Sequence, residues 1–410
     1  MRFPKLRPLR VQPTVHQQQP ALALQDPLGL SGQTVIVPRA LAPILALCDG
    51  TRDLDALRAS LAVRYGVILT SSQIASIVQT LDEALLLDNE RAEAARRQAL
   101  EQYHALDSRP PALAGVSYPA EARALRAYFD ELMAAAPHNG TAPDDLVGVI
   151  CPHIDYLRGG PVYARTWAPA TNAVLSAELI VVFGTDHNGG PGRITLTRQR
   201  YASPLGIHPT DAAVLRAVGD TISEEAAYAE ELHHRREHSI ELAVVWLHYL
   251  LGDRQTPIVP ILCGSLDHYV EQNADPAADP TVNALIDALR AATRGRRTLW
   301  VAAADLAHVG PAFGDPHPLD LAMRAQLQAA DERILDAIRQ GDADGFFRAI
   351  QSERDRWRVC GLAPIYLTLR MVEPAKGTVV AYERCPADAQ NGSVVTITGA
   401  LLARGRERGG

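Results

Sequence analysis

The chain is 410 residues long, 47% hydrophobic and 21% charged, which is enough for a large buried core and more than one domain. A net charge of −7 argues against a broad nucleic-acid footprint, and 6 Phe with 4 Trp do not suggest a platform for stacking bases. The cysteines, at 48, 151, 263, 360 and 385, are odd in number, widely spaced and without a C-x-x-C pair, so neither a disulfide framework nor a structural zinc knuckle is indicated; no run is apolar enough for a signal peptide or a membrane span, and a cytoplasmic protein is expected.

Residues 1–30 are rich in Pro and Gln and read as an irregular arm. Thr34 to Val37 is a short strand stopped by Pro38, and Arg39 to Leu47 is apolar enough for a helix. Leu54, Leu57 and Leu61 repeat at helical spacing. Thr70 or Ser71 can cap a further helix whose apolar face is Ile74, Ile77, Val78 and Leu81. Leu85-Leu86-Leu87 then reads as a short strand. Together, 31–89 form a small winged-helix-like module. Its second main helix, 70–84, has no Lys or Arg, which disfavours a DNA-reading role because phosphate contacts come largely from those side chains. Residues 90–109 read as a helical linker ending at Pro110-Pro111, and 403–410 as a flexible tail.

The large domain, 110–402, alternates apolar β-rich runs with helical stretches. The runs are 146–151, 179–184, 257–263, 298–304 and 378–383, with a further strand at 393–397. Helices are expected over 120–134, 162–176, 211–219, 237–251, 281–294, 317–340 and 343–350, and Arg158-Gly159-Gly160-Pro161 reads as a tight turn. Nearly continuous apolar strands separated by helices predict a three-layer α/β/α domain with a mostly buried sheet.

Four polar islands stand out: Cys151 to Tyr156, Gly184 to His187, Arg236 to Ser239, and Asp305 to His308. Each holds a histidine with a carboxylate close by, and three lie where an apolar run ends. Ligands of open α/β sheets sit beyond the carboxyl ends of strands, so the islands predict one shared site. His153 and His187 suit metal ligation or acid–base work. Asp155 can orient an imidazole or hold a cationic group, Tyr156 can donate to an oxyanion, and Arg158 can bind an anion or simply cover the surface. Asp186 is a second metal-site group or an acceptor behind the histidine. Glu237 and Glu241 share a helix face. The spacing there lacks the H-E-x-x-H of a zincin. His238 suits substrate contact or proton transfer, or caps the helix with Glu237. Asp305 can accept or orient a proton while His308 acts as acid and base. His233 and His234, in a charged run, read as solvated. Cys151 and Cys263 read as packing residues. Cys360, at an expected helix N-terminus, is a candidate ligand or nucleophile. A G-x-S-x-G elbow is absent, which leaves only a metal-dependent form of a hydrolase reading.

In order, GVSYP (115–119), PHIDY (152–156), GTDH (184–187), YASPLG (201–206), EHSIE (237–241), VPILCG (259–264), ADLAH (304–308) and CG (360–361) resemble the motif series of the Memo family, also called AmmeMemoRadiSam system protein B. The resemblance spans about 110–402. It implies a fold similar to class III LigB-type extradiol dioxygenases and a redox-active metal, iron or copper, held by His153, His187 and Cys360. His238, Asp305 and His308 would line the same cavity. It also implies radical-SAM and AMMECR1-like partner proteins, and either an oxidoreductase or a non-catalytic maturation partner. Two positions depart from the common pattern: PHIDY stands where PHAGY is familiar, and Asp186 replaces a serine. The N-terminal module loosely resembles PqqD-like domains, which implies a peptide ligand there.

Overall fold

The computed structural model describes residues 3–136 and 145–405. Residues 406–410 of the expected tail, and the first two of the expected arm, lie outside them. The chain divides into two compact units, Met1–Leu106 and Asp107–Gly410.

In the first unit, β1 (Arg10–His16), β2 (Gln19–Gln25) and β3 (Thr34–Pro38) form an antiparallel sheet in that order. The segment read as an irregular arm is therefore mostly a hairpin. Its turn residues, Gln17 and Gln18, both take positive φ, 49° and 63°. Such turns usually advertise themselves through Asn or Gly, and here neither is present. Helices α1 (Pro43–Leu47), α2 (Leu54–Tyr65), α3 (Ser71–Glu83) and α4 (Glu90–His104) follow. Thr70 caps α3 in a full capping box with Gln73. Leu57, Leu61 and Ile74 bury one face of the helices, and Val78 and Leu81 pack with Leu24 and Val37 of the sheet. Leu87 makes only an isolated bridge to Leu6 rather than a strand. The polar helix read as a linker, α4, lies within this unit and buries Ala92, Ala99 and Tyr103.

The second unit is α/β with a large mixed sheet. In chain order it contains α5 (Ala122–Ala135), β4 (Leu146–Cys151), α6 (Tyr156–Ser176), β5 (Leu179–Thr185), β6 (Ile194–Leu196), the small ribbon β7 (Ala202–Ser203) and β8 (Gly206–Ile207), and α7 (Ala212–Ile222). Next come α8 (Glu224–Tyr228), α9 (Ser239–Leu251), β9 (Ile258–Cys263), α10 (Asp267–Glu271), α11 (Pro280–Ala292), β10 (Thr298–Ala303) and β11 (His308–Val309). The unit closes with α12 (Leu321–Gln340), α13 (Ala343–Gln351), α14 (Leu362–Val372), β12 (Ala375–Pro386) and β13 (Val394–Arg404). The sheet runs β11-β13-β4-β10-β5-β9-β6, with β12 pairing β13. Its centre, β4-β10-β5-β9, is parallel, and the flanking pairs are antiparallel. β13 continues to Arg404, so 403–404 belong to the sheet rather than to a tail.

Alternate residues of the central strands feed two separate cores. Ile150, Val181, Phe183, Val259 and Trp300 pack with α7, α11, α12, α13 and α14. Val149, Ile180, Val182 and Val301 pack with α5, α6 and α9. The start of α6 also departs from the sequence reading: it begins at Tyr156, capped by Asp155, and runs through the segment read as a turn. The glycines there serve close packing. A Cβ at Gly159 would sit 2.5 Å from Ile154 Cγ2.

Candidate metal centre

Strand register brings the islands together. Ala303, the last residue of β10, is level with Cys151 of β4 on one side and Gly184 of β5 on the other. The chains leaving these three neighbouring strands carry His153, His187 and Asp305 to one end of the parallel sheet.

His153 is buried, and its Nδ1–H donates to the Ala303 carbonyl at 3.0 Å. That bond fixes the tautomer and leaves the Nε2 lone pair facing inward. Asp305 Oδ1 accepts from the backbone N–H groups of His153 (2.8 Å) and Ile154 (3.2 Å), clamping the β4 loop to the β10 loop. Its second oxygen is 3.7 Å from His153 Nε2. His187 follows the same logic with a different partner: its Nδ1 donates to Glu237, 3.1 Å from each carboxylate oxygen, which frees Nε2. The buried Glu237 carboxylate also accepts from the N–H groups of His238 (2.7 Å) and Ser239 (3.0 Å) at the start of α9.

Cys360 Sγ lies 3.2 Å from His153 Nε2 and also contacts His187 and His308. Burial alone would raise this thiol; the imidazoles of His153 and His308, with hydrogen bonds from His153 and His187, hold it well below its ordinary value. Reciprocally, Cys360 and Asp305 overcome burial and lift His153 to about 9. Glu237 overcomes burial and lifts His187 well above its usual range. The cysteine reaches the site because Gly361 allows close approach: a Cβ there would stand 2.4 Å from the Asp305 carbonyl. Thr185 Oγ1 adds a 2.9 Å hydrogen bond to the Cys360 carbonyl.

His238 joins the cluster more closely than a substrate-contacting role requires. Its ring stacks on His187 at 4.8 Å between centroids and meets His153 edge-on at 5.2 Å. Ligand atoms of His153, His187 and His238 all lie within 4.8 Å of one another, so these three can hold a metal ion. His308 is half-buried; its Nδ1–H donates to Leu306 O, and Phe313 packs edge-on against its ring at 5.1 Å. A cavity of about 450 Å³ opens over the group, lined by His153, His187, His238, Asp305 and His308, with Asp155 and Arg158 also in its wall.

Other predicted residues are placed differently. Tyr156 is not positioned to serve an oxyanion: its hydroxyl donates to Leu242 O at 2.5 Å among buried aromatic rings. Asp155 caps α6 and holds Arg158 by two contacts, 2.7 Å to Nε and 2.6 Å to Nη2, so Arg158 is an already paired cation. The Asp186 carboxylate accepts from His233 Nδ1 at 2.8 Å, while His187 is held by Glu237. His233 and His234 are therefore not solvated. His234 is fully buried, donating from Nε2 to Thr195 O (2.9 Å) and accepting at Nδ1 from Tyr201 O–H (2.7 Å). Glu241 does not share the site with Glu237. It is buried against Arg109 at 2.5 Å and accepts from Ala112 N, Leu113 N and Tyr118 O–H. Sequence reasoning missed Arg109, Glu230 and His233. The last two sit in a charged run that looked like surface, and only the 3₁₀ turn over Glu231–Arg235 folds them under the β5 loop. A second group, Asp186, Glu230 and His233, also brings ligand atoms within 4.8 Å.

These features define an α/β protein with a histidine- and cysteine-lined pocket at the carboxyl ends of parallel strands, and with two side-chain clusters able to coordinate a metal ion. The chain belongs to the Memo-like protein family, whose model matches residues 109–401. It is 24% identical over 370 residues to a MEMO1 family protein of Aquifex aeolicus (strain VF5), covering 90% of this chain and 91% of that one. That span exceeds the family domain, so the likeness reaches into the N-terminal unit. A MEMO1 family protein of Methanococcoides burtonii is 25% identical over 299 residues, 72% of this chain and all of that one. One from Thermus thermophilus is 25% identical over 331 residues, 81% and 93% of the two chains. No helix among the described residues is long and apolar enough to cross a membrane.

Proposed function

We propose that this chain is a metal-dependent oxidoreductase, dioxygenase-like in outline, whose metal is iron or copper held by His153, His187 and Cys360. The observation that carries the reading is the 3.2 Å approach of Cys360 Sγ to His153 Nε2, with the far nitrogens of His153 and His187 already committed to Ala303 O and Glu237. This donor set fits a metal. Two oriented imidazoles and a soft thiolate favour iron or copper over magnesium or calcium, and the carbonyl and carboxylate behind the histidines fix their tautomers. A bound redox metal would supply one-electron and dioxygen chemistry.

The protein's own part is positioning and proton movement. His308 and His238, both in the cavity wall, are the groups that take up or release protons, at Nε2 in each case, because Nδ1 of His308 is bound to Leu306 O and Nδ1 of His238 lies 3.0 Å from Glu237. Asp305 fixes the β4 loop against the β10 loop. The Arg158–Asp155 pair presents one charge of each sign to an entering small molecule or modified peptide.

In this reading the N-terminal unit is a PqqD-like, winged-helix-like peptide holder, and the partners are radical-SAM and AMMECR1-like proteins. The setting is the cytoplasm, where five free cysteines would stay reduced. The deciding measurement is the metal content of protein purified with its native metal, for wild type, His187→Ala and Cys360→Ala. Both variants are expected to lose the metal; unchanged occupancy in both would overturn the assignment. Retained metal without turnover of catechols or thiols, together with tight partner binding, would make the chain a non-catalytic maturation component. Stoichiometric zinc would favour a metal-dependent hydrolase.

A further inference from the structure

Asp186, next to His187 in the chain, forms a compact group with Glu230 and His233. His233 Nδ1 is 2.8 Å from Asp186 Oδ2 and 3.9 Å from Glu230 Oε2. Asp186 is buried, and the His233 side chain is only 10% exposed. The Glu230 carboxylate is loosely held: among the described residues its one hydrogen bond is a long 3.4 Å contact from Gly190 N–H. Among the described residues no Lys or Arg forms an ion pair with any of the three. Two carboxylates therefore share one imidazole as their direct ion-pair partner, with the Arg193 side chain passing near Glu230. Direct pairing of the buried Asp186 and the partly exposed Glu230 is thus incomplete, and a bound cation would complete it.

Glycines at 189 and 190 let the backbone pass close to the group. A Cβ at Gly189 would lie 2.6 Å from Asp186 Oδ2, and one at Gly190 would stand 3.2 Å from Arg193 Cγ and 3.7 Å from Glu230 Oε1. Ligands on a tetrahedral ion with bonds near 2.0–2.2 Å stand roughly 3.3–3.6 Å apart. The two observed separations, 2.8 and 3.9 Å, bracket that spacing, so small side-chain movements would close the shell.

We propose that Asp186, Glu230 and His233 form a second cation site for a divalent first-row ion such as zinc or manganese, distinct from the His153–His187–Cys360 centre. One imidazole nitrogen and two carboxylates suit these ions, and no sulfur is involved. The ion takes the place of the proton that otherwise sits on His233 Nδ1. Its role is structural: it ties the 186–190 turn to the segment that leads into Glu237, the residue that orients His187. The proposal does not depend on the oxidoreductase reading.

Cobalt(II) distinguishes the two sites. A thiolate ligand gives cobalt a sulfur-to-metal charge-transfer band in the near ultraviolet, whereas imidazole and carboxylates give only weak d–d bands. Metal-free full-length protein is titrated with Co(II), as wild type, Glu230→Gln, His233→Ala and Cys360→Ser, with folding checked by circular dichroism. Glu230→Gln and His233→Ala are expected to bind one equivalent fewer than wild type while keeping the charge-transfer band. Cys360→Ser is expected to lose that band and keep the sulfur-free equivalent. A sulfur-free equivalent in wild type that Glu230→Gln removes supports the second site even if the thiolate centre takes up no cobalt. Glu230→Gln is near-isosteric at a partly exposed position, so it decides the matter if His233→Ala does not fold. Stoichiometry unchanged by Glu230→Gln, or no sulfur-free cobalt in wild type, overturns the proposal.

Discussion

Glu237 is almost wholly enclosed, yet it accepts from the His187 ring and from the backbone N–H groups of His187, His238 and Ser239. Burial would raise its carboxyl, but the imidazoles of His187 and His238 hold it well below the ordinary range. Replacing it by Gln sets an amide in place of one carboxylate oxygen. The amide competes with His187 Nδ1–H as a donor and weakens the preference for a free Nε2. Glu237→Gln is therefore expected to lower metal affinity by about 10–100-fold, which competition with a calibrated chelator would measure. Wild-type affinity in the variant would show that Glu237 does not orient the ligand. His153, His187, Asp305 and His308 were legible in the sequence because each follows an apolar run, and strand ends are where α/β sheets collect ligands. Cys360 was ambiguous from its surroundings and needed the motif series. Glu230 and His233 were hidden because nothing local separates a charged run on the surface from one folded beneath a loop.

At the scale of elements, the site depends on how α9 is held. Arg109 and Glu241 are both fully buried, and the Arg109 guanidinium reaches the carbonyls of His234 (2.6 Å) and Glu237 (2.8 Å) as well as the Glu241 carboxylate. Glu241 in turn accepts from residues 112, 113 and 118. The pair thus fastens the 109–118 segment to the first turns of α9 and to the loop before it. Removing one partner strands a buried charge, so Glu241→Ala is expected to cost about 3–5 kcal/mol by urea denaturation, whereas Arg109→Met with Glu241→Leu should cost less than the single change. Equal losses in single and double variants would mean that the hydrogen bonds to the backbone, rather than the stranded charge, set the cost. Element types were readable where periodicity was strong, as in α3 and β5. The β1–β2 hairpin was hidden by its Gln17-Gln18 turn, and the start of α6 by Gly159, Gly160 and Pro161, which read as punctuation although the glycines are there for packing.

Across the whole molecule, the two cores on either face of the sheet enclose titratable groups that make stability depend on pH. Burial holds His234 at about 4, against an ordinary 6.5, and burial with the neighbouring His208 imidazole holds His248 at about 3. Both are neutral when folded and protonate more readily when unfolded. Between pH 6.5 and about 4 the unfolded chain binds more protons, so their contribution is complete above 6.5 and is lost as the pH falls through that window. For His234 alone the loss by pH 4.5 is about 2–3 kcal/mol. Asp331 and Asp355 act in the opposite direction. Burial lifts them to about 6 and about 7, so the folded chain holds their protons and gains stability as the pH falls from those values toward 3.8. The wild-type curve alone therefore mixes opposing slopes, and a difference curve is needed. In His234→Gln the amide can still donate to Thr195 O and accept from Tyr201 O–H, but it cannot take up a proton. The variant is expected to lose about 2–3 kcal/mol less than wild type between pH 7 and pH 4.5, read from urea midpoints at matched ionic strength. Parallel curves for the two proteins would mean that His234 titrates alike folded and unfolded, and that the buried imidazole is not what makes this fold sensitive to acid.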